Sequence, residues 1–351
     1  MRAVIQGTGM YVPPNVVDNH RLSRIMGTSD EWIQQRTGIV TRHLADAGVG
    51  TSDLAVPAAR QAIERAGLTP DDIDYVVFAT MTPDFYFPGS GAVFAGKVGL
   101  KRVPCLDIRQ QCAGFVYGLQ VTDALIRSGQ YSNVLLIGAE VHSSLMPWRS
   151  WDLVFGAADH PIDEEEYARN TSTRDRTVLF GDGAGAVVVT GADGEERGVV
   201  DVLLHTDGTL ADRLWVNAGG SVGRPYFDPS MYEDGRIVPI VQGREVFRLA
   251  VTLMPEVMLA ILKRNGMTLD DVALTIFHQA NLRINESVQK RLGLPDDRVF
   301  NNIQKYGNTT AATIPIALHE AIEQGRVKRG DLLCFVGLGS GLNWGAVLYR
   351  Y

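Results

Sequence analysis

The eight residues Arg65-Ala66-Gly67-Leu68-Thr69-Pro70-Asp71-Asp72 return in similar form as Arg264-Asn265-Gly266-Met267-Thr268-Leu269-Asp270-Asp271. Each copy then enters an apolar segment, Tyr75-Val76-Val77-Phe78 and Leu274-Thr275-Ile276-Phe277. Further pairs follow in order. Val98-Gly99-Leu100 matches Leu292-Gly293-Leu294, Arg127-Ser128-Gly129-Gln130 matches Glu323-Gln324-Gly325-Arg326, and the apolar run 134–137 matches 332–336. The offset stays between 194 and 199 residues throughout. Chance does not keep several elements in one order at one offset, so the chain reads as a duplication. We place the halves at residues 1–192 and 193–351.

Each half alternates apolar runs with helical patterns. Residues 53–66 carry helical periodicity and stop at Gly67, and 112–128 form a long apolar helix stopping at Gly129. Residues 103–108 form a short apolar strand. In the second half, 282–292 and 309–324 take the helical parts. Alternation of this kind with continuously apolar strands implies an α/β fold with largely parallel sheets covered on both faces. Two such halves stacked give five layers, α/β/α/β/α. Residues 148–176 and 219–240 fall outside the repeat and read as long loops that cover a site or stay mobile. The run Asp163-Glu164-Glu165-Glu166 reads as a solvated part of the first.

Composition removes several function classes. The 351 residues carry 33 Lys and Arg against 40 Asp and Glu, a net charge of −7, with no basic run. A nucleic-acid partner is therefore not expected. The three cysteines, Cys105, Cys112 and Cys334, make no disulfide framework or zinc spacing, which suits a reducing cytoplasm. The start, Met1 to Gly7, reads as a strand entering a turn rather than a signal peptide. No apolar stretch reaches the length of a membrane span, since 332–348 is broken by glycines, Ser340 and Asn343.

Three residues can carry chemistry. Cys112 follows the strand pattern ending at Ile108 and opens the long helix. Unsatisfied N–H groups and the positive end of the helix dipole there would favour thiolate and lower its pKa. A small buried thiol remains the alternative. His278 ends the apolar run 274–277, at the carboxyl end of a strand where α/β sheets place their sites, although a structural histidine would sit there too. Asn308, before the last long helix, is equally a helix cap. The repeat puts the loops before Cys112 and Asn308 in equivalent places, so halves stacked about a pseudo-twofold axis bring Cys112, His278 and Asn308 to one cleft. Gly181-Asp182-Gly183-Ala184-Gly185 precedes a strand, so it signals close backbone packing rather than nucleotide binding. Gly337-Leu338-Gly339-Ser340-Gly341 follows a strand and offers either a tight turn or an oxyanion hole.

The segments Ser29-Asp30-Glu31-Trp32-Ile33-Gln34-Gln35-Arg36-Thr37-Gly38-Ile39, Gln111-Cys112-Ala113-Gly114-Phe115, Phe180-Gly181-Asp182-Gly183-Ala184-Gly185-Ala186, His278-Gln279-Ala280-Asn281-Leu282-Arg283, Gly307-Asn308-Thr309-Thr310-Ala311-Ala312 and Trp344-Gly345-Ala346 resemble, in order, β-ketoacyl-acyl-carrier-protein synthase III. That family has the thiolase fold and initiates bacterial fatty-acid synthesis. The resemblance implies a Cys112–His278–Asn308 triad and ping-pong transfer from an acyl-CoA to Cys112, then decarboxylative condensation with malonyl-acyl-carrier protein. It needs no cofactor and no metal. It implies an oxyanion hole from the backbone N–H groups of Cys112 and Ser340. By the same resemblance, Trp32, Arg36 and Arg244 contact CoA, Phe87 and Leu342 belong to the acyl pocket, and Arg283 and Lys290 meet the carrier protein. A homodimer is implied because Phe87 enters the partner subunit's pocket. Arg244, Ser340 and Leu342 depart from the family's usual residues, and 148–176 is longer, which points to a long or unusual acyl starter. A secondary-metabolite enzyme of the same fold with another acceptor is the alternative reading. A non-catalytic partner subunit is the remote one, opposed by the presence of Cys112.

Overall fold

The structure, a computed structural model, describes residues 2–194 and 196–351. The first sheet has five strands in the order Arg2–Tyr11, Gly183–Ala192, Asn133–Glu140, Tyr75–Ala79, Cys105–Ile108. Only Gly183–Ala192 runs against the rest. The second sheet has the order Leu274–Phe277, Leu332–Gly339, Asn343–Arg350, Gly198–Thr206, and again one strand, Asn343–Arg350, is reversed. The two sheets thus repeat one topology. The edge strand Cys105–Ile108 has only a remnant in the second sheet, a single parallel bridge between Thr275 and Val299.

Between the sheets lie two helices, Gly114–Arg127 and Thr313–Glu323. Phe115, Leu119, Ile314 and Leu318 pack there against Leu136 and Val187 of one sheet and Ile276 and Phe335 of the other. A helix with sheets on both sides buries apolar side chains on both of its faces. The outer layers are Thr51–Arg65 with Ser90–Val98 on the first sheet, and Gly243–Arg264 with Leu282–Leu292 on the second. The result is the five-layer α/β/α/β/α arrangement of the thiolase fold.

The central helices approach the sheets closely at glycines. A Cβ on Gly138 would strike the carbonyl of Ala311, and one on Gly339 would lie 2.8 Å from the Cys112 nitrogen. Gly185 likewise has no room, facing Ile316 N and Pro315 at 2.8 Å, so the 181–186 run serves close packing.

Two expectations about local structure are corrected. Residues 148–176 are not a loop: they hold the helices Trp151–Phe155 and Glu164–Thr177. The acidic run is the start of the second. The Asp163 carboxylate accepts from Glu166 N–H at 3.0 Å, and Glu164, Glu165 and Glu166 fill the first turn, where the helix dipole favours negative charge. The long helices also begin later than the patterns suggest. Residues 111–113 and 310–312 form separate 3₁₀ turns before Gly114 and Thr313.

Candidate active site

Those two 3₁₀ turns form the floor of the site. Each opens on a residue in the left-handed region, Gln111 at φ 46° and Thr310 at φ 46°. Neither is glycine, and strain of this kind persists only where surrounding structure imposes it. Cys112 sits in the first turn, 7% exposed. It therefore precedes the helix rather than opening it. Burial, with the nearby Glu140 carboxylate second, pushes the thiol up to about 12. This corrects the expectation of a lowered pKa: the loss of hydration outweighs the helix N-terminus.

His278 is placed by its backbone, whose N–H donates to Val336 C=O at 2.8 Å just beyond the strand Leu274–Phe277. The ring is buried, which drives its pKa down to about 3 and keeps it neutral. Nδ1 lies 2.7 Å from Thr313 Oγ1, while Nε2 has no partner. Asn308 is pinned between two strand-like contacts. Its N–H donates to Leu179 C=O at 2.8 Å, and its C=O accepts from Gly181 N–H at 3.2 Å. Its side-chain Oδ1 accepts from Thr310 N–H at 2.9 Å, which leaves the Nδ2 amide to donate elsewhere. Cys112, His278 and Asn308 all line one cavity of about 700 Å³, together with Ser340, Trp32 and Arg36.

Thr313 carried no signal in the sequence, being one of three threonines within residues 309–313. Its hydroxyl also lies 3.0 Å from Thr310 C=O. It has one proton to give. When that proton goes to Thr310, the hydroxyl accepts from Nδ1–H and Nε2 is a bare lone pair. When it goes to Nδ1, Nε2 carries N–H into the cavity. The tautomer that donates into the site thus depends on this hydroxyl. If the site condenses a malonyl thioester, as the sequence resemblance implies, Thr313→Val is expected to slow its decarboxylation about tenfold or more while Thr313→Ser restores it. Release of carbon dioxide, measured beside unchanged acylation of Cys112, checks this.

Glu140 was also not legible in the sequence, since it ends an apolar strand. It is fully buried and accepts from Thr82 Oγ1 at 2.6 Å, Thr80 Oγ1 at 3.2 Å and Met81 N–H at 3.1 Å. Burial raises its pKa to about 7 against these hydrogen bonds. It fixes the wall formed by Met81 and Thr82. The remaining thiols differ from Cys112 in position: Cys334 is sealed in the second sheet and Cys105 is half-buried in the edge strand.

The other candidate residues divide. The Arg36 guanidinium lies 4.3 Å from the centre of the Trp32 ring. Arg174, from the helix Glu164–Thr177, adds a second guanidinium at 5.2 Å. Only contact across distant segments reveals it. Ser340 lines the cavity, with its hydroxyl donating to Leu214 C=O. Arg283 donates to the carbonyls of Gln34 and Gln35, both at 2.9 Å, and pairs with Glu286 at 2.8 Å. Lys290 is exposed on the same helix. Leu342 does not line the cavity. It is fully buried, packed in the cluster with Met258 and Val336, because the turn that carries it folds back onto the second sheet. Arg244 is exposed in the first turn of Gly243–Arg264, outside the lining, which its neighbours Gly243 and Val246 reach. Phe87 is 80% exposed and also outside the lining within one chain. Among the described residues, no group of three or more His, Cys, Asp or Glu could hold a metal ion, and no helix is long and apolar enough to cross a membrane.

Comparison with known proteins places the chain in a family. Residues 106–159 and 163–208 match the family model for 3-oxoacyl-[acyl-carrier-protein] synthase III, and 262–351 match the model for its C-terminal part. The chain is similar to the β-ketoacyl-[acyl-carrier-protein] synthase III of Cereibacter sphaeroides, 42% identical over 100% of this chain and 99% of that one. Among solved structures it resembles 3-oxoacyl-[acyl-carrier-protein] synthase III from Aquifex aeolicus, with a TM-score of 0.83, 39% identity and coverage of 99% and 100%. It also resembles the priming β-ketosynthase of the R1128 polyketide biosynthetic pathway, with a TM-score of 0.84, 30% identity and coverage of 99% and 96%.

Proposed function

Because the chain belongs to the 3-oxoacyl-[acyl-carrier-protein] synthase III family, we propose that it joins an acyl-CoA starter to malonyl-acyl-carrier protein, giving a β-ketoacyl product. The observation that carries the reading is one cavity holding a thiol, an unpartnered imidazole nitrogen and a carboxamide turned to donate. Cys112 Sγ attacks the thioester carbonyl of acyl-CoA. The bond to the CoA sulfur breaks, and the thiol proton leaves with CoA. The thiolate is the attacking form, so the thiol that burial holds neutral gives up its proton before or as it attacks, and the departing CoA sulfur takes one up.

Malonyl-acyl-carrier protein then takes the place of CoA. His278 Nε2–H and Asn308 Nδ2–H donate to its thioester carbonyl. The electrons of the breaking carbon–carboxylate bond move into an enolate held by these donors as carbon dioxide leaves. The enolate carbon attacks the acyl-Cys112 carbonyl. The backbone N–H groups of Cys112 and Ser340 hold the tetrahedral oxyanion until the thiolate leaves and takes up a proton. No cofactor or metal enters this sequence.

Trp32 would stack on the CoA base, and Arg36 and Arg174 would serve its phosphates. Arg244, one residue beyond the lining Gly243, would add a cation. Lys290 and the outer edge of Arg283 would meet the acidic carrier protein. A homodimer would form through the edge strand Cys105–Ile108, whose Leu106 is 37% exposed, with Phe87 covered by the second copy. Three free thiols suit a cytoplasmic setting. The same condensation priming a polyketide-type chain is the second reading, favoured by the likeness to the R1128 enzyme.

The test is incubation with an acyl-CoA panel and malonyl-acyl-carrier protein, followed by product analysis. A β-ketoacyl-carrier product, absent when malonyl-CoA replaces the carrier form, is expected. Ester or amide products with other acceptors would overturn the reading.

A further inference from the structure

The cavity holds a second imidazole that the condensation does not use. His142 lies just beyond the strand Asn133–Glu140 and lines the same cavity as Cys112. It is fully buried, and neither Nδ1 nor Nε2 has a hydrogen-bond partner. Its ring lies flat on Phe180, with centroids 3.5 Å apart and planes 6° apart. One face is therefore covered by a hydrocarbon ring. Burial pushes its pKa down to about 3, so the ring is neutral and offers one N–H donor and one lone pair.

The location is beside the reacting groups. Phe180 pairs through its backbone with Asn308, whose amide serves the condensation. Glu140, whose charge reaches Cys112, stands two residues before His142. The lining contributed by the neighbouring segments includes apolar Leu145, Leu179 and Phe180 beside polar Ser144. Two unmet polar atoms on one buried ring are rare in folded proteins, and each is costly unless something hydrogen-bonds to it. An acyl chain of carbon and hydrogen alone would expel water and leave both nitrogens unpaired. A chain with a hydroxyl can accept from the ring N–H or donate to its lone pair. A carboxylate is a poor fit, since the neutral ring brings no charge to balance it.

We propose that His142 selects the starter, and that the acyl group carried to Cys112 bears a hydroxyl which hydrogen-bonds the edge of this imidazole. This rests on the condensing reading given above. It makes His142 a specificity residue on the acyl side of the thioester, separate in role from His278 on the malonyl side.

The experiment compares acyl-CoAs of equal length with and without the hydroxyl: butyryl-CoA with 3-hydroxybutyryl-CoA, and octanoyl-CoA with 3-hydroxyoctanoyl-CoA and 8-hydroxyoctanoyl-CoA. The rate of mass gain on Cys112 is read for the wild type, His142→Leu and His142→Gln. The wild type is expected to prefer at least one hydroxylated member about tenfold or more. His142→Leu is expected to remove or reverse that preference, and His142→Gln, which keeps a donor and an acceptor, to retain it. Equal or better use of every unsubstituted chain by the wild type would overturn the proposal, and so would a preference that survives His142→Leu. The wild-type comparison stands alone if His142→Leu does not fold. Failure of every acyl-CoA to label Cys112 would instead refute the condensing reading and take this inference with it.

Discussion

A Cys112→Ala variant is expected to carry no acyl group after incubation with any acyl-CoA, because no other thiol reaches the cavity: Cys334 is sealed in a sheet and Cys105 lies in the edge strand. The loss should be complete in intact-mass measurements. The wild-type acylation rate carries a second expectation. Burial pushes the Cys112 thiol up to about 12, so at neutral pH the sulfur rests protonated. Below that value the thiolate share grows about tenfold for each pH unit. Acylation should therefore climb between about pH 6 and pH 9 without levelling off. A plateau reached by neutral pH would mean that the following helix outweighs burial after all, and an acyl adduct on Cys112→Ala would place the nucleophile elsewhere.

Asn308→Ala and His278→Ala should separate the two half-reactions. Each removes one donor aimed at the malonyl thioester carbonyl, a change of the kind that costs about 10²–10³ in rate. Acylation of Cys112 makes no use of these donors in the proposed sequence and should persist. Labelled carbon dioxide release from malonyl-carrier protein, set beside acyl-enzyme mass, reads both at once. Loss of acylation in step with decarboxylation would show that the three residues act as one unit in the first half-reaction. Asn308→Ala also orphans the Thr310 N–H that its Oδ1 now accepts, so Asn308→Asp, which keeps that acceptor but lacks the amide donor, isolates the catalytic part.

Much of the frame is written locally. The matching segments 65–72 and 264–271 announce a duplicated chain, and the two sheets indeed repeat one strand order. The helix 282–292 falls where its periodicity puts it, because its outer face is polar and its inner face apolar. The starts at Gly114 and Thr313 are not legible, because Cys112-Ala113 and Ala311-Ala312 in the 3₁₀ turns are buried and apolar like the helices that follow them. The acidic run at 163–166 reads as a loop in the sequence because charge alone does not distinguish a solvated turn from a well-capped helix start.

Cys112, His278 and Asn308 could be named from their residue types and their places at strand and helix ends. What the sequence by itself determined was the duplication, the alternating layers and these candidate reactive groups, since periodicity and residue chemistry are local properties. Only the tertiary structure decided how each group behaves. The thiol is raised because it is buried, the imidazole tautomer rests on a threonine 35 residues away, and His142 is left with two unmet nitrogens against Phe180. Dehydration and hydrogen-bond partnership arise between segments distant in the chain, and no single segment encodes them.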